Sequence, residues 1–269
     1  MNNYYRIGEI SKLIGITTEG IRYYEKRGLI NPLRKDDSLT RYYDVWDIYI
    51  LMRAKGYQRL GINLDTIVDL LMAQTDKEAI QVFCQQKKII QQKIMYYEHL
   101  LNQLSCMETL YEELPKRLNQ ITIEFSPEIL RMDMQQGYSI LEEDDRKKIT
   151  SEWIQQAPFT FPSACFSMEA LEKKSDEFMF GVGVLKENEE FLNLDKKYAQ
   201  KFESKLCIST LYQSKSKVPL GYAAIQPLIE YAKEHNFEIS GDAVSLVMGY
   251  HHTKEQARSN FHRIWLPIR

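Results

Sequence analysis

Three short segments near the start of the chain constrain its fold most: Tyr5-Arg6-Ile7-Gly8-Glu9-Ile10, then Arg22-Tyr23-Tyr24-Glu25, then Arg41-Tyr42-Tyr43. Ile7, Ile10, Leu13 and Ile14 fall at helical spacing and predict a short first helix. Gly15 ends it, and Thr17 is placed to cap a second helix that carries Thr18, Arg22, Tyr23 and Lys26. Gly28-Leu29-Ile30 closes that helix. A polar hairpin, Arg34-Lys35-Asp36-Asp37-Ser38, then leads to Arg41. Helix, turn, helix and basic hairpin together predict a winged helix-turn-helix. A second helix of this length fits the major groove, where Arg donates to guanine edges and Thr or Tyr reach bases or phosphates. A basic, aromatic wing suits phosphate contacts beside the groove. The candidate DNA-contacting residues are therefore Thr17, Thr18, Arg22, Tyr23, Lys26, Arg34, Lys35, Arg41, Tyr42 and Arg59.

These segments, with Leu60-Gly61-Ile62-Asn63-Leu64-Asp65-Thr66-Ile67, resemble the MerR family of transcription regulators over about the first quarter of the chain. The resemblance implies a homodimer on double-stranded promoter DNA, seated on an over-long spacer. Effector binding would distort that spacer so that RNA polymerase can use both promoter elements. Physically, a deformation of several kcal/mol would be traded against ligand and protein contacts.

The formal net charge of -2 does not announce nucleic acid, but a DNA binder needs only a local basic face. Arg22, Lys26, Arg27, Arg34, Lys35, Arg41, Arg53, Lys55 and Arg59 supply it, interleaved with Asp36, Asp37, Asp44 and Asp47, so folding must sort the signs. At 269 residues the chain holds two domains and a linker. The start, Met1 to Arg6, has no apolar signal region, and no run approaches membrane-spanning length. A cytoplasmic location without a membrane partner is expected. The four cysteines, Cys84, Cys106, Cys165 and Cys207, are scattered, which argues against disulfides in that compartment.

Thr75-Asp76-Lys77-Glu78 reads as a capping box opening a long helix, uninterrupted until Pro115. From Lys77 to Leu114 it would span roughly 55 Å. Phe83, Lys87, Ile90, Ile94, Tyr97, Leu101, Leu104, Glu108 and Tyr111 alternate four and three apart, a heptad seam. Across an antiparallel pair, partner residue numbers share a constant sum. Phe83 with Tyr111, Ile90 with Leu104 and Tyr97 with its own copy share one sum; Lys87 with Glu108 and Ile94 with Leu101 exceed it by one. That register sets each seam lysine beside the partner's seam glutamate, whereas a parallel pair would oppose like charges. An antiparallel dimerisation helix is expected. Cys84 and Cys106, roughly 33 Å apart along the helix, cannot share a metal within one chain. His251-His252 would point to opposite faces of a strand. No metal or other cofactor is expected.

Strand-like runs follow at 121–125, 129–134, 164–168, 178–185, 205–211, 242–248 and 263–268, with helices at 142–154 and 221–233. Their order predicts a doubled α+β unit. The segment from Gly221-Tyr222 to Gly241-Asp242 resembles the GyrI-like effector-binding domain of multidrug-responsive MerR regulators. That resemblance implies a cleft in which aromatic side chains and a buried acid bind lipophilic cations. Tyr222 and Phe261 match pocket aromatics, and Trp153, Phe166, Phe180 and Val247 are further candidate lining residues. Ser245 stands where those sensors carry glutamate, so Glu169, Glu152 or Glu203 would have to substitute, or the ligand is neutral.

The expected architecture is α+β: a winged helix-turn-helix DNA-binding domain over 1–74, a coiled-coil dimerisation helix over 75–117 and a GyrI-like effector domain over 118–269. The expected protein is a non-enzymatic activator responding to a small lipophilic, aromatic or cationic effector. The alternatives are a regulator answering a neutral metabolite or a metal, and a GyrI-like hydrolase of electrophilic small molecules.

Overall fold

The computed structural model describes residues 4–34, 40–73, 75–137, 139–214, 221–252 and 258–269. The chain divides into two compact units, Met1–Tyr97 and Glu98–Arg269. The first unit holds β1 (Tyr5–Arg6), α1 (Ile7–Ile14), α2 (Thr18–Lys26), β2 (Leu33–Arg34), β3 (Arg41–Tyr43), α3 (Val45–Arg59) and α4 (Leu64–Met72), and α5 (Asp76–Arg117) begins in it.

Local chemistry sets these bounds. Gly15 ends α1 in the left-handed region at φ 69°, its N–H donating to Ser11 O at 2.9 Å. Thr17 Oγ1 accepts the Gly20 N–H at 3.1 Å and caps α2. Asp44 accepts from the N–H groups of Trp46 and Asp47, while the Asp47 carboxylate accepts from those of Asp44 and Asn31. That reciprocal cap ties the start of α3 to the chain leaving α2. The strands pair in the order β1-β3-β2. Ile10, Ile21, Tyr24, Tyr43, Leu51 and Ile67 are fully buried at the centre, each aliphatic contributing about 1.5–3 kcal/mol. The tyrosines of the two signature segments therefore split: Tyr24 and Tyr43 form core, whereas Tyr23 and Tyr42 stay half-buried. The sequence pattern does not single out α3, because its apolar residues ring the helix; Leu51 and Ala54 are buried while Trp46 and Met52 are exposed.

The second unit contains β4 (Ile121–Phe125), β5 (Ile129–Gln136), β6 (Ser139–Ile140), α6 (Asp144–Ile154), β7 (Thr160–Phe166), α7 (Met168–Glu172), β8 (Met179–Leu185), α8 (Lys186–Leu192), β9 (Ala199–Phe202), β10 (Leu206–Ser214), α9 (Tyr222–Glu234), β11 (Ala243–His252) and β12 (Arg258–Pro267). One antiparallel sheet runs β4-β10-β12-β11-β7-β8-β5-β6, with β9 also on β5. Its symmetry is internal. β5-α6-β7-β8 and β10-α9-β11-β12 are the same β-α-β-β unit, and their equivalent strands β7 and β11 pair at the middle, Ser245 opposite Ala164. The expected doubling is present.

α6 and α9 lie on one face. α6 packs Trp153 and Ile149 on Met132 and Val184, and α9 packs Ile225 and Leu228 on Ala164, Phe166 and Ile264. Phe161, Cys165, Leu246 and Trp265 form a second core on the opposite face. Gly181 is required where β5 kinks between Asp133 and Gln135: a Cβ there would lie 1.9 Å from Met132 O.

Several expected bounds shift: β10 runs on to Ser214, β11 to His252, and β12 starts at Arg258 rather than at 263. α5 continues through Pro115 to Arg117, the Leu118 N–H still reaching Leu114 O at 3.0 Å. β7 begins at Thr160, not 164, because Phe161 packs in the second core. α7, α8 and β9 are short elements whose few apolar positions leave no period to read.

Candidate functional site

Arg22 on α2 and Arg41 on β3 line one surface groove of about 540 Å³, together with Arg6, Gly8, Glu9, Lys12 and Thr40. Its four basic side chains face one carboxylate, which accepts the Arg6 backbone N–H at 2.6 Å. Such a groove is suited to a phosphate backbone. Arg6 and Lys12 were not among the sequence-derived candidates; their flanking of the α1 apolar stripe was the available signal.

Glu25 fastens the wing. Arg41 Nε donates to Glu25 Oε1 at 2.8 Å, and Arg34 Nη2 lies 3.7 Å from the same oxygen. Tyr23 Oη donates to Asp65 Oδ1 at 2.5 Å, and Arg27 Nη1 reaches that oxygen at 2.7 Å, tying α2 to α4. Lys55 Nζ donates to Gly15 O at 2.6 Å, holding the turn between α1 and α2, and Arg53 donates to Tyr57 Oη at 3.2 Å. Folding thus sorts the basic residues: Arg27, Arg53 and Lys55 brace the unit, whereas Arg22, Lys26, Arg34 and Arg59 are exposed. Thr17 serves as the helix cap, and Thr18 Oγ1 donates to Glu19 at 3.2 Å. Tyr42 is half-buried in β3, paired across to Arg6 and Leu33. Lys35 and the side chains of His251 and His252 lie outside the described residues.

In the sheet unit, alternation along the strands assigns sides. Ser245 pairs with Ala164 and Ile264, Phe180 with Ala164, and Val247 with His262, so these side chains share the face that carries α6 and α9. Phe166 is buried there, and Phe180 and Tyr222 pack against the same cluster. Trp153 is core beneath α6, its Nε1–H donating to Asp195 O at 2.9 Å. Phe261 alternates onto the opposite face, edge-on to Tyr111 at 6.3 Å. Phe166, Phe180, Tyr222, Ser245 and Val247 are thus brought together; Trp153 and Phe261 are not among them.

None of the three acids expected to replace the missing glutamate is buried: Glu152 and Glu169 are exposed, Glu169 bridged to Lys173, and Glu203 lines a groove with Lys201 and Trp265 on the other face. What the helix-bearing face does hold, unexpectedly, is unpaired polarity. Among the described residues, Ser245 Oγ, Ser214 Oγ and both ring nitrogens of His262 are buried without a hydrogen-bond partner. Such a group costs about 1–3 kcal/mol in a folded protein. Burial pushes the His262 imidazole down to about 4, so it is neutral near pH 7.

Residues 5–74 match the MerR HTH family of regulatory proteins. The HTH-type transcriptional regulator ZntR of Escherichia coli K12 is 31% identical over 111 residues, 41% of this chain and 77% of that protein. The chain belongs to the MerR family. The mercuric resistance operon regulatory protein of Shigella flexneri is 29% identical over 108 residues, 40% of this chain and 72% of that protein. A solved EcmrR–DNA complex in EcmrR-RPo aligns over 98% of this chain and 99% of its own, at 16% identity and a TM-score of 0.37. As a MerR-family member the chain is a DNA-binding transcription regulator.

The MerR-type signature is followed by the long helix α5, whose seam is open in this chain. Ile94, Tyr97, Leu101 and Leu104 are 51%, 63%, 65% and 62% exposed, an apolar row of the kind that marks an interface. The ends of the row have neighbours within their own units. Phe83 lies 5.9 Å from the Tyr57 ring. Tyr111 Oη donates to Tyr250 O at 2.9 Å and accepts the Tyr250 N–H at 3.2 Å. Cys84 and Cys106 are exposed, Cys165 and Cys207 buried. Among the described residues no group of three His, Cys, Asp or Glu side chains is placed to hold a metal. No helix among them is long and apolar enough to cross a membrane.

Proposed function

We propose that this MerR-family regulator binds promoter DNA as an antiparallel homodimer and answers a small lipophilic, aromatic effector. Residues 1–74 would form the DNA-binding domain, 75–117 the dimerisation helix and 118–269 a GyrI-like effector domain. The DNA contacts fall to the groove joining Arg22 to Arg41, with Lys26, Arg34 and Arg59 flanking it. Dimerisation falls to the open seam from Ile90 to Leu104, extended by the Lys87 and Glu108 charge pair. Two recognition helices about a twofold axis would then read two half-sites of a near-palindrome.

The observation that carries the effector reading is the doubled β-α-β-β sheet, with Phe180, Tyr222 and Val247 half-buried around its central strand pair. Half-buried aromatics beside a symmetric junction offer a flat ligand stacking surface. A ligand held there acts on transcription only through different contacts in the two states of the bound promoter. In this reading the ligand-bound dimer distorts the spacer, and RNA polymerase then engages both elements.

The test is transcription in vitro from a bound promoter, with and without a lipophilic aromatic ligand, for the wild type and Tyr222→Ala. Ligand-dependent transcription lost in Tyr222→Ala, with DNA affinity unchanged, is expected. Loss of DNA affinity in Tyr222→Ala, with the ligand response intact, would overturn the division of labour.

A further inference from the structure

We infer that the effector is an uncharged aromatic molecule bearing one hydrogen-bonding group, and that the imidazole of His262, with Ser245 Oγ beside it, receives that group. The inference rests on the proposed effector role of the helix-bearing face.

The strand register makes the cluster. His262 pairs directly with Val247 on one side and Tyr212 on the other, and Ser245 pairs with Ile264, so Ser245 and His262 are diagonal neighbours on one face. Diagonal pairs have Cα atoms about 7–8 Å apart and Cβ atoms closer, a span that one small polar group bridges. Ser245 is 1% exposed and His262 0%, and none of their side-chain polar atoms has a partner among the described residues. Buried polar groups are normally satisfied, so an unsatisfied pair on the face that also carries half-buried Phe180 and Tyr222 asks for a ligand atom.

The surroundings choose its charge. From β10 the facing side chains include Tyr212 and Ser214, from β11 Ser245 and Val247, and α9 turns Ala224, Ile225, Leu228 and Ile229 inward. These groups are hydroxyls or hydrocarbon. Among these groups a cation would lose its hydration with no carboxylate to answer it, Asp176 standing exposed at the start of α9 with its Oδ1 accepting the Tyr222 N–H at 2.8 Å, and an anion would meet only neutral donors. A neutral imidazole offers one N–H and one lone pair, and the serine hydroxyl one of each, which matches an uncharged donor or acceptor.

Two probes of similar aromatic size separate the alternatives: triphenylphosphine oxide, neutral with one strong acceptor, and tetraphenylphosphonium, a cation with none. Calorimetric titration of the full-length dimer should show the oxide binding at least about tenfold more tightly than the cation. His262→Phe should weaken the oxide by about tenfold, the cost of one lost buried hydrogen bond, while His262→Gln keeps most of it. In the wild type, the ¹⁵N resonances of the His262 ring should move on adding the oxide, a response a purely structural histidine would not give. Ser245→Ala supplies a second variant should His262→Phe fail to fold. Equal or tighter binding of the cation, or oxide affinity indifferent to both substitutions, would overturn the inference and leave the effector role of the face standing. Failure of both probes to bind would remove both.

Discussion

Arg41 Nε donates to Glu25 Oε1 at 2.8 Å, so the wing is fastened to the recognition helix by a carboxylate belonging to that helix. Charge alone says that removing an acid beside DNA should tighten binding. Positioning says the reverse, because Arg41 and Arg34 would both lose their anchor. We expect Glu25→Ala to weaken promoter binding about three- to tenfold, the scale of one positioning hydrogen bond to a charged group. Fluorescence anisotropy with labelled duplex measures it.

Arg22 and Arg41 share the groove with Arg6 and Lys12. If each arginine neutralises one phosphate, Arg22→Ala and Arg41→Ala should each flatten the plot of log affinity against log salt by about 0.9. The substitution Arg53→Ala should leave the slope unchanged, because Arg53 is engaged with Tyr57. Titrations across a range of potassium chloride concentrations decide this.

In the proposed antiparallel dimer Lys87 would lie beside the partner's Glu108. Lys87→Glu alone should weaken the dimer through like charges, as should Glu108→Lys, and the double variant should restore it. Ile94→Glu and Leu101→Glu, at positions 51% and 65% exposed in the single chain, should give monomers by sedimentation. A parallel seam would show no rescue in the double variant.

His262 gives the fold a pH signature. Its imidazole takes a proton near 6.5 in the unfolded chain and near 4 in the folded one. As pH falls between those values the unfolded state binds the proton and the folded state does not, so stability is lost on acidification, on the order of 2–3 kcal/mol. His262→Leu should flatten denaturant-measured stability over this window. Carboxylates contribute elsewhere. Glu124 is held below its ordinary 4.5 by Arg263, Ser209 and Trp265 against the upward push of burial, and Glu189 by Lys196 and Lys186. Their losses come below that value.

The DNA-binding segment was legible because its rules are local. Gly15 must stop α1, Thr17 must cap α2, and Ile7, Ile10 and Ile14 mark a turn-by-turn stripe, while Leu13, expected in it, is 70% exposed. The long helix was legible for the same reason, since a heptad is a periodicity. What the sequence hid was which polar residues are spent internally. Lys55 on Gly15 O and Arg27 on Asp65 are contacts across about forty positions, and only folding discloses them. The sheet unit was legible in order but not in side. Phe261 and His262 are neighbours in sequence, and strand alternation sends them to opposite faces. The aromatic that resemblance favoured went one way, and the histidine that nothing pointed to went to the helix-bearing face.

In the proposed dimer two half-sites are read through the groove of Arg22 and Arg41. Selection of bound duplexes from a random library by the full-length protein tests it most directly. An enriched inverted repeat, bound by two chains, is expected, with enrichment lost in both Arg22→Ala and Arg41→Ala. Enrichment of a single half-site bound by one chain, or an inverted repeat selected equally well by both variants, would contradict it.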